Sequence, residues 1–306
     1  MAAVPVVRLD KRPRARRPYR GFAHSVWWFV LPAAALYVFA VVYPSIRGSL
    51  YAFTDWDGVS LDPSWVGLDQ FARIWSDPNG LTAIRNTLLI AFAVTVIQNA
   101  IGLLIALAVN SRIKTRNILR VLIFAPVVVT SIAVGFLWKN LYAPEGGINQ
   151  ILESVGLGAL QQNWLGDPSV AIWSIIIVMF WQFVGYSMVI FLAGLQGIPE
   201  EVLEAAAIDG AGPIRRFWSV IRPLLAPAIT INVMLSLIGG LKLFDQVFVM
   251  TQGGPGGATN TISTLIYSNA FALGRFGYAA ALAVVLAIFV AVASIIQYRL
   301  LALQER

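Results

Sequence analysis

The sequence contains no cysteine and a single histidine, and charged residues make up only 12% of its 306 positions. The absence of cysteine excludes disulfide bonds and thiolate metal sites. The lone histidine, His24, leaves no histidine pair for a metal, and no histidine base accompanies the serine of Gly185-Tyr186-Ser187. We therefore expect no metal centre, no catalytic residues and no cofactor held by this chain.

Apolar residues are in excess and reach 58% of the sequence. A soluble domain of this length carries about twice the observed fraction of charge. A helix that crosses a bilayer needs about 20 consecutive, mostly apolar residues. Six segments reach this length and predict an all-α, multi-pass membrane protein: 26–46, 87–109, 119–141, 170–195, 226–250 and 277–298.

Lysine and arginine are unequally distributed between the two ends of these segments. Sixteen lie in the two termini, in the second-to-third connection and in the loop after the fourth segment, whereas six lie on the opposite side. Cytoplasmic loops are enriched in Lys and Arg, so both termini are expected in the cytoplasm of a cell whose inner or plasma membrane holds the chain. The sequence pI of 9.9 follows from this asymmetry and requires no nucleic-acid binding.

These assignments predict three regions. A basic cytoplasmic tail covers residues 1–25, a six-helix transmembrane domain covers 26–299, and a short cytoplasmic tail covers 300–306. The first segment lacks a clear small-residue cleavage site, so we interpret it as a retained anchor and not as a removed signal peptide. The basic tail is interpreted as a topology anchor beside anionic lipid.

A short polar hairpin separates the fourth and fifth segments, within the loop 196–225, and predicts a small helix that cannot enter the membrane. Pro199 suits the first helical position, and the acids that follow it suit the positive end of the helix dipole. Gly210 can adopt the left-handed conformation that ends a helix, and Pro213 can start the next one. An exposed helix in this position indicates a docking site for an aqueous partner, with an unpartnered amphipathic connector as the alternative.

The hairpin resembles the cytoplasmic signature loop, or EAA motif, of binding-protein-dependent ABC importer permeases. That pattern is Glu-Ala-Ala, three residues, Gly, nine residues, Ile, one residue and Leu-Pro. Glu204-Ala205-Ala206, Gly210 and Pro223 match it, whereas Val220 replaces Ile and Arg222 replaces Leu. In the family this loop is the coupling helix, which sits in a cleft of the ATPase. The resemblance assigns ATPase coupling to eight residues: Glu200, Glu201, Glu204, Ala205, Ala206, Asp209, Gly210 and Pro223.

Further runs resemble the same family over roughly residues 30–300. They include Gly146-Gly147-Ile148-Asn149, Phe244-Asp245-Gln246 and Thr251-Gln252-Gly253-Gly254-Pro255, of which the last two are typical of its carbohydrate branch, the maltose and glycerol-phosphate type. The glycine-rich run lacks the lysine that a phosphate-binding P-loop requires, so we interpret it as a flexible turn.

The resemblance implies the type I ABC importer fold and a set of partners. These are a second homologous permease in a heterodimer, two ABC ATPase subunits that bind ATP and Mg²⁺, an extracytoplasmic solute-binding protein, and a sugar or sugar-like solute. Transport would proceed by alternating access, with ATP hydrolysed outside this chain. The alternative is an ion-coupled secondary transporter of a small polar solute, a class that usually has inverted repeats and interrupted helices.

Polar residues inside the apolar segments are candidates for lining the solute pathway, since such residues are costly in lipid and usually face a cavity or another helix. The fifth segment is the richest in them. Lys242 and Asp245 could instead form a structural ion pair along one helical face, and Trp138 could instead be an interface anchor. The candidates are Asn232, Ser236, Lys242, Asp245, Gln246, Gln182, Tyr186 and Trp138.

Overall fold

A computed structural model describes residues 22–111 and 114–302 of the chain as helices and connecting loops. In those residues the extended backbone forms one isolated bridge, between Thr54 and Trp65. The chain divides into two compact units, Met1–Gly48 and Ser49–Arg306. The basic residues of the predicted tail from Arg8 to Arg20 lie outside the described residues, as do Arg112 and Arg306.

The first unit contains one long helical segment in its described part. Helix α1 spans Phe22–Tyr37 and continues through a π-helical turn, Val38–Val42, into α2, which spans Tyr43–Leu50. Pro32 lies inside α1. Together with a 3₁₀ turn, this segment gives an apolar helical stretch, Trp28–Phe53, that is long enough to cross a membrane.

The second unit is a bundle of helices joined by loops, two of which contain a short 3₁₀ turn. Its helices are α3 (Asp69–Ser76), α4 (Pro78–Asn110), α5 (Arg116–Val128), α6 (Ser131–Leu141), α7 (Gly147–Ser154), α8 (Ala171–Gln196), α9 (Glu200–Ile208), α10 (Pro213–Arg216), α11 (Arg222–Leu224), α12 (Ala226–Leu241), α13 (Asp245–Met250), α14 (Ile262–Tyr267) and α15 (Phe276–Ala302). A 3₁₀ turn, Tyr51–Phe53, precedes α3, and another, Gly158–Leu160, follows α7. Two π-helical turns, Phe217–Ile221 and Ser268–Ala272, follow α10 and α14.

Helix α4 packs against both α8 and α12 and so forms the centre of the second unit. Close contact requires small residues, because lipid gives helices no hydrophobic reason to associate. A Cβ added at Gly102 would lie 2.7 Å from the Cβ of Ser187 on α8, and one added at Gly240 would lie 2.6 Å from the Cα of Ala91. The glycines therefore fix how closely α8 and α12 approach α4.

The third predicted segment, 119–141, is helical but sharply bent. Helices α5 and α6 occupy it but meet at an angle of 99°. Pro126 lacks an N–H donor and weakens the end of α5. The hydroxyl of Thr130 then accepts the backbone N–H of Ala133 and caps the start of α6. The other five predicted segments each correspond to an apolar helical stretch of spanning length.

The fifth predicted segment, 226–250, is also interrupted. Helix α12 ends at Leu241 and α13 begins at Asp245, which leaves three residues in a non-helical connection. Lys242 and Asp245 therefore do not share one helical face. The described residues contain no ion pair between these two side chains, so the structure does not show the alternative of a structural ion pair.

Candidate functional site

The second unit contains a half-open cavity of about 480 Å³ between α4, α5, α6, α8, α12 and α13. The cavity carries both polar and aromatic side chains. Its lining consists of Val94, Gln98, Val127, Ser131, Met179, Phe183, Tyr186, Leu235, Ser236, Gly239, Gly240, Lys242, Leu243, Phe244, Asp245 and Gln246. Such a mixture can bind a polar solute by hydrogen bonds and by contact with aromatic rings.

Both helix interruptions lie beside this cavity. At the first, the carbonyl oxygen of Val129 accepts a hydrogen bond from Nε2 of Gln182 at 3.0 Å. At the second, the carbonyl oxygen of Leu243 accepts one from the hydroxyl of Thr261 at 3.1 Å. Non-helical backbone at membrane depth is tolerated where it is buried in protein or lines a cavity. The interruptions and the cavity therefore form one structural feature.

Two glutamines connect the interruptions directly. Gln182 and Gln246 are 1% and 2% exposed, and Nε2 of Gln246 donates to Oε1 of Gln182 at 2.9 Å. Since Gln182 also donates to Val129, one side chain joins α8, the α5–α6 bend and the start of α13. A movement at either interruption must therefore stretch or break a buried hydrogen bond.

Five of the eight candidate pathway residues line the cavity. These five are Tyr186, Ser236, Lys242, Asp245 and Gln246. Gln182 lies behind Gln246 and supports it. Trp138 packs in an aromatic cluster with Tyr142 and Trp181, at ring-centroid distances of 5.2 and 5.4 Å.

Asn232 belongs to a buried hydrogen-bond network that links α4, α8 and α12. Its Oδ1 accepts from the hydroxyl of Ser187 at 3.0 Å, and that hydroxyl accepts from Nε2 of Gln98 at 2.7 Å. At the next position on α4, Nδ2 of Asn99 donates to the hydroxyl of Ser236 at 2.8 Å. Gln98 and Ser236 belong to both the network and the cavity lining, so the network fixes the polar side of the cavity.

Four of the polar or aromatic lining residues were not predicted from the sequence: Gln98, Ser131, Phe183 and Phe244. Gln98 could have been identified, because it is a polar residue inside the second apolar segment. Ser131 becomes part of the lining only because α5 and α6 meet at a sharp bend. Nothing in the local sequence distinguishes the two phenylalanines from those that pack against neighbouring helices.

The predicted coupling helix is α9, which spans Glu200–Ile208. Pro199 precedes the helix in an extended conformation (ψ 135°), so it is the capping residue and not the first helical residue as expected. Gly210 has φ +76°, and its N–H donates to the carbonyl of Ala207. The N–H of Ala211 donates to the carbonyl of Ala206, which completes a Schellman motif.

The acidic residues of this helix and its end face solvent. Glu200, Glu201, Glu204 and Asp209 are all exposed, as is Ala205, whereas Ala206 is half-buried. Ile208 is 86% exposed. An acidic helix with an exposed isoleucine at its tip offers both charge and apolar area to another protein.

Comparison with known proteins gives the family. Residues 98–304 match the family described as "Binding-protein-dependent transport system inner membrane component". The chain belongs to this family. It is therefore a multi-pass membrane protein and an ABC importer permease, as the resemblance of its signature loop predicts.

Individual relatives cover almost the whole chain. A multiple sugar-binding transport system permease from Streptococcus mutans is 34% identical over 90% of this chain and 94% of the relative. A probable starch degradation products transport permease from Thermoanaerobacterium thermosulfurigenes is 34% identical, with the same coverage of both chains. A lactose transport permease from Rhizobium radiobacter is 34% identical over 89% of this chain and 92% of the relative.

Two solved structures share the fold. A bacterial ABC transporter involved in alginate import aligns with a TM-score of 0.80 and 21% identity, over 91% of this chain and 95% of the other. An alginate transporter in complex with its pentasaccharide-bound periplasmic protein aligns at 0.78 and 20%, over 90% and 93%. The predicted ABC importer permease fold is confirmed by this likeness.

Arg222 is the position at which this permease departs most from the family's signature loop. Its guanidinium lies 5.4 Å from the centroid of the Trp218 ring, one helical turn earlier. The aromatic face stabilises the positive charge that replaces the usual leucine. Pro223 follows in the first turn of α11, and Pro213 begins α10 as predicted.

The glycine-rich run of this permease forms turns, as expected, and hydrogen bonds connect it to α4. The side-chain amide of Asn86 on α4 donates to the carbonyls of Ala258 and Asn260 at 2.8 and 2.9 Å. The hydroxyl of Thr259 donates to the carbonyl of Gly254. The loop is thereby attached to α4.

Among the described residues, no group of three or more His, Cys, Asp or Glu side chains is placed to hold a metal ion.

In the loop after the first unit, backbone N–H groups of Ser60 and Val59 donate to the Asp57 carboxylate and lower its pKa to about 2. This carboxylate therefore stays charged and holds its own turn.

Proposed function

We propose that this chain is one of two permease subunits that form the transmembrane pathway of an ATP-driven sugar importer. The observation that carries the proposal is α9, an exposed acidic helix closed by a complete Schellman motif in the register of the family's signature loop. A separate ATPase would bind ATP and hydrolyse it, because this sequence contains no P-loop.

The mechanism that we propose is alternating access. Closure of two ATPase subunits around ATP moves α9, and the movement reaches α12 through the short connection that contains Arg222 and Trp218. The two helix interruptions beside the cavity are the places where the bundle can bend. A ligand shifts such an equilibrium only through different affinities for the two states, so coupling resides in contacts that change.

The signature loop and both termini would lie in the cytoplasm, as the excess of Lys and Arg on that side favours. The opposite end would receive solute from an extracytoplasmic binding protein. The alginate transporter in complex with its periplasmic protein provides the precedent for such a partner.

A sugar is the proposed solute class because relatives at about one-third identity are named for sugar, starch-product and lactose transport. The cavity supports this choice, since it combines Gln98, Ser131 and Ser236 with the rings of Tyr186 and Phe244. Lys242 and Asp245 contribute one charge of each sign, which favours an uncharged solute.

The test uses the native complex, purified through an affinity tag on this chain and reconstituted with its binding protein. Uptake of a panel of three radiolabelled sugars (lactose, maltotriose and diacetylchitobiose) is measured with and without ATP on the ATPase side. The choice of diacetylchitobiose follows a relative named for its uptake. We expect uptake of at least one sugar that requires ATP and survives a protonophore.

Interrupted helices also occur in ion-coupled secondary transporters, and the same experiment separates the two classes. Uptake that continues without ATP and stops when the ion gradient is collapsed would contradict the proposal. Purification of the chain without any ATPase subunit would contradict it as well.

A further inference from the structure

Seven aromatic rings follow one another from the cavity to the loop at the end of the bundle opposite α9. This aromatic row consists of Phe244, Phe248, Tyr267, Phe271, Phe276, Trp56 and Tyr51. The row begins in the cavity, because Phe244 lines it. It ends at Tyr51, in the first 3₁₀ turn.

Each ring contacts the next without a gap. Ring-centroid distances are 5.1 Å from Phe244 to Phe248, 4.8 Å to Tyr267, 5.3 Å to Phe271 and 5.8 Å to Phe276. Trp56 is 5.4 Å from Phe276, and Tyr51 is 4.1 Å from Trp56. The residues come from four separate parts of the chain, so the row is a property of the fold.

The rings remain accessible. Phe271 is 71% exposed and Tyr267 39%, and the other five are half-buried. The Phe276 ring lies against Gly58, which has φ +91°. A Cβ at this position would overlap the ring. The backbone at Gly58 thus leaves room for this ring beside Trp56.

We propose that the aromatic row is a sugar-binding track that delivers pyranose rings from the outer end of the bundle to the cavity. The inference rests on the proposed function, since it takes a sugar as the solute. Pyranose rings present flat faces of C–H groups, and aromatic faces carry partial negative charge that attracts them. Successive rings let a sugar exchange one stacking partner for the next.

Polar groups accompany the row at both ends. Asp245 follows Phe244 and lines the cavity, while Asp55 and Asp57 flank Trp56 and are exposed. Nε1 of Trp56 donates to the carbonyl of Ser60, which fixes the plane of that ring. Sugar hydroxyls would therefore find hydrogen-bond acceptors beside the first and last stacking positions.

An aromatic belt at the membrane interface is the plainer use of such residues. Belts are built from Trp and Tyr, whose polar atoms reach the headgroups. Four members of the row are phenylalanines, which have no polar atom, and the row leads into the cavity. These two features favour the track over the belt.

The test compares Phe271→Ala with Phe92→Ala in the reconstituted native complex. Phe92, on α4, is 70% exposed and lies outside the row, so it is a matched control. Uptake of the transported panel sugar is measured at a sub-saturating concentration of sugar-loaded binding protein. We expect the rate to fall about two- to tenfold for Phe271→Ala and to stay within about twofold for Phe92→Ala.

A second measurement covers a Phe271→Ala variant that fails to assemble. Phe271→Trp keeps an aromatic ring, so it should retain uptake. The emission of the introduced indole, taken as the difference between the variant and the unsubstituted complex, should shift when the transported sugar is added. Phe92→Trp should show no shift. The track is overturned if Phe271→Ala transports as well as Phe92→Ala, or if the Phe271→Trp emission does not respond. If the unsubstituted complex takes up none of the three sugars, the proposed function itself fails, and the track with it.

Discussion

Gly210 shows most clearly how one residue can end the helix that we propose as the coupling helix. Its left-handed backbone permits two hydrogen bonds that satisfy the last carbonyls of α9. No atom lies within 4 Å of the position that a Cβ would occupy, so the requirement for glycine is conformational and not steric. A β-branched residue is least able to adopt this conformation.

We predict that Gly210→Val will insert into the membrane at normal levels but lose ATPase association and uptake. The left-handed conformation costs an ordinary L-residue about 1–2 kcal/mol, so the last turn of α9 should unwind. Co-purification of the ATPase with the tagged chain measures the effect. Gly210→Asn is the matched variant and should retain most of the association, because Asn tolerates this conformation. Normal transport by Gly210→Val would contradict the role of the cap.

At the scale of elements, the two interrupted helices distinguish this chain from a bundle of straight spans. Each interruption frees a carbonyl group that cannot bond to water inside a membrane. Gln182 satisfies the carbonyl of Val129, and Thr261 satisfies that of Leu243. Because Gln246 bonds to Gln182, the α5–α6 bend and the start of α13 are expected to respond together.

We predict that Gln182→Leu will lower the midpoint of thermal unfolding of the purified complex. The substitution leaves the carbonyl of Val129 and the amide of Gln246 buried without partners, at about 1–3 kcal/mol for each unpaired group. Gln246→Leu and the double variant complete a double-mutant cycle. The sum of the stability losses of the two single variants should exceed the stability loss of the double variant. Strictly additive costs would show that the two interruptions are independent.

At the scale of the whole molecule, the membrane topology decides which end of the second unit faces the ATPase that we propose as its partner. The absence of cysteine makes this question easy to address, since single cysteines can be introduced without background. Ile208 at the tip of α9 and Leu61 in the loop after the first 3₁₀ turn are both exposed. They lie on opposite sides of the membrane in the proposed orientation.

We predict that Leu61→Cys will react with a membrane-impermeant maleimide in intact cells whose outer envelope is permeable, and that Ile208→Cys will not. In inverted membrane vesicles, Ile208→Cys should react with the maleimide and Leu61→Cys should not. Positive charge on the side of the signature loop is the physical reason. Labelling of Ile208→Cys from outside intact cells would overturn the orientation and with it the coupling role of α9.

Much of the fold could be predicted because its signals are local. Apolar runs of bilayer length identified the spanning segments, and five of the six are continuous or nearly continuous helical stretches. The start and end of α9 followed from proline, acidic residues and glycine at adjacent positions. The candidate site was less predictable. Tyr186 and Ser236 line the cavity as proposed, whereas Asn232 bonds to Ser187 and Trp138 packs against Trp181.

The sequence by itself determined the spanning segments, the capped helix α9 and the family, since each depends on residues close together in the chain or on a fixed spacing. Only the tertiary structure decided where helices break and what lines the cavity. The bend at Val129 is satisfied by a glutamine 53 positions later, and the break at Leu243 by a threonine 18 positions later. A backbone group inside a membrane can leave its helix only where such a distant donor arrives, and no local pattern encodes that meeting.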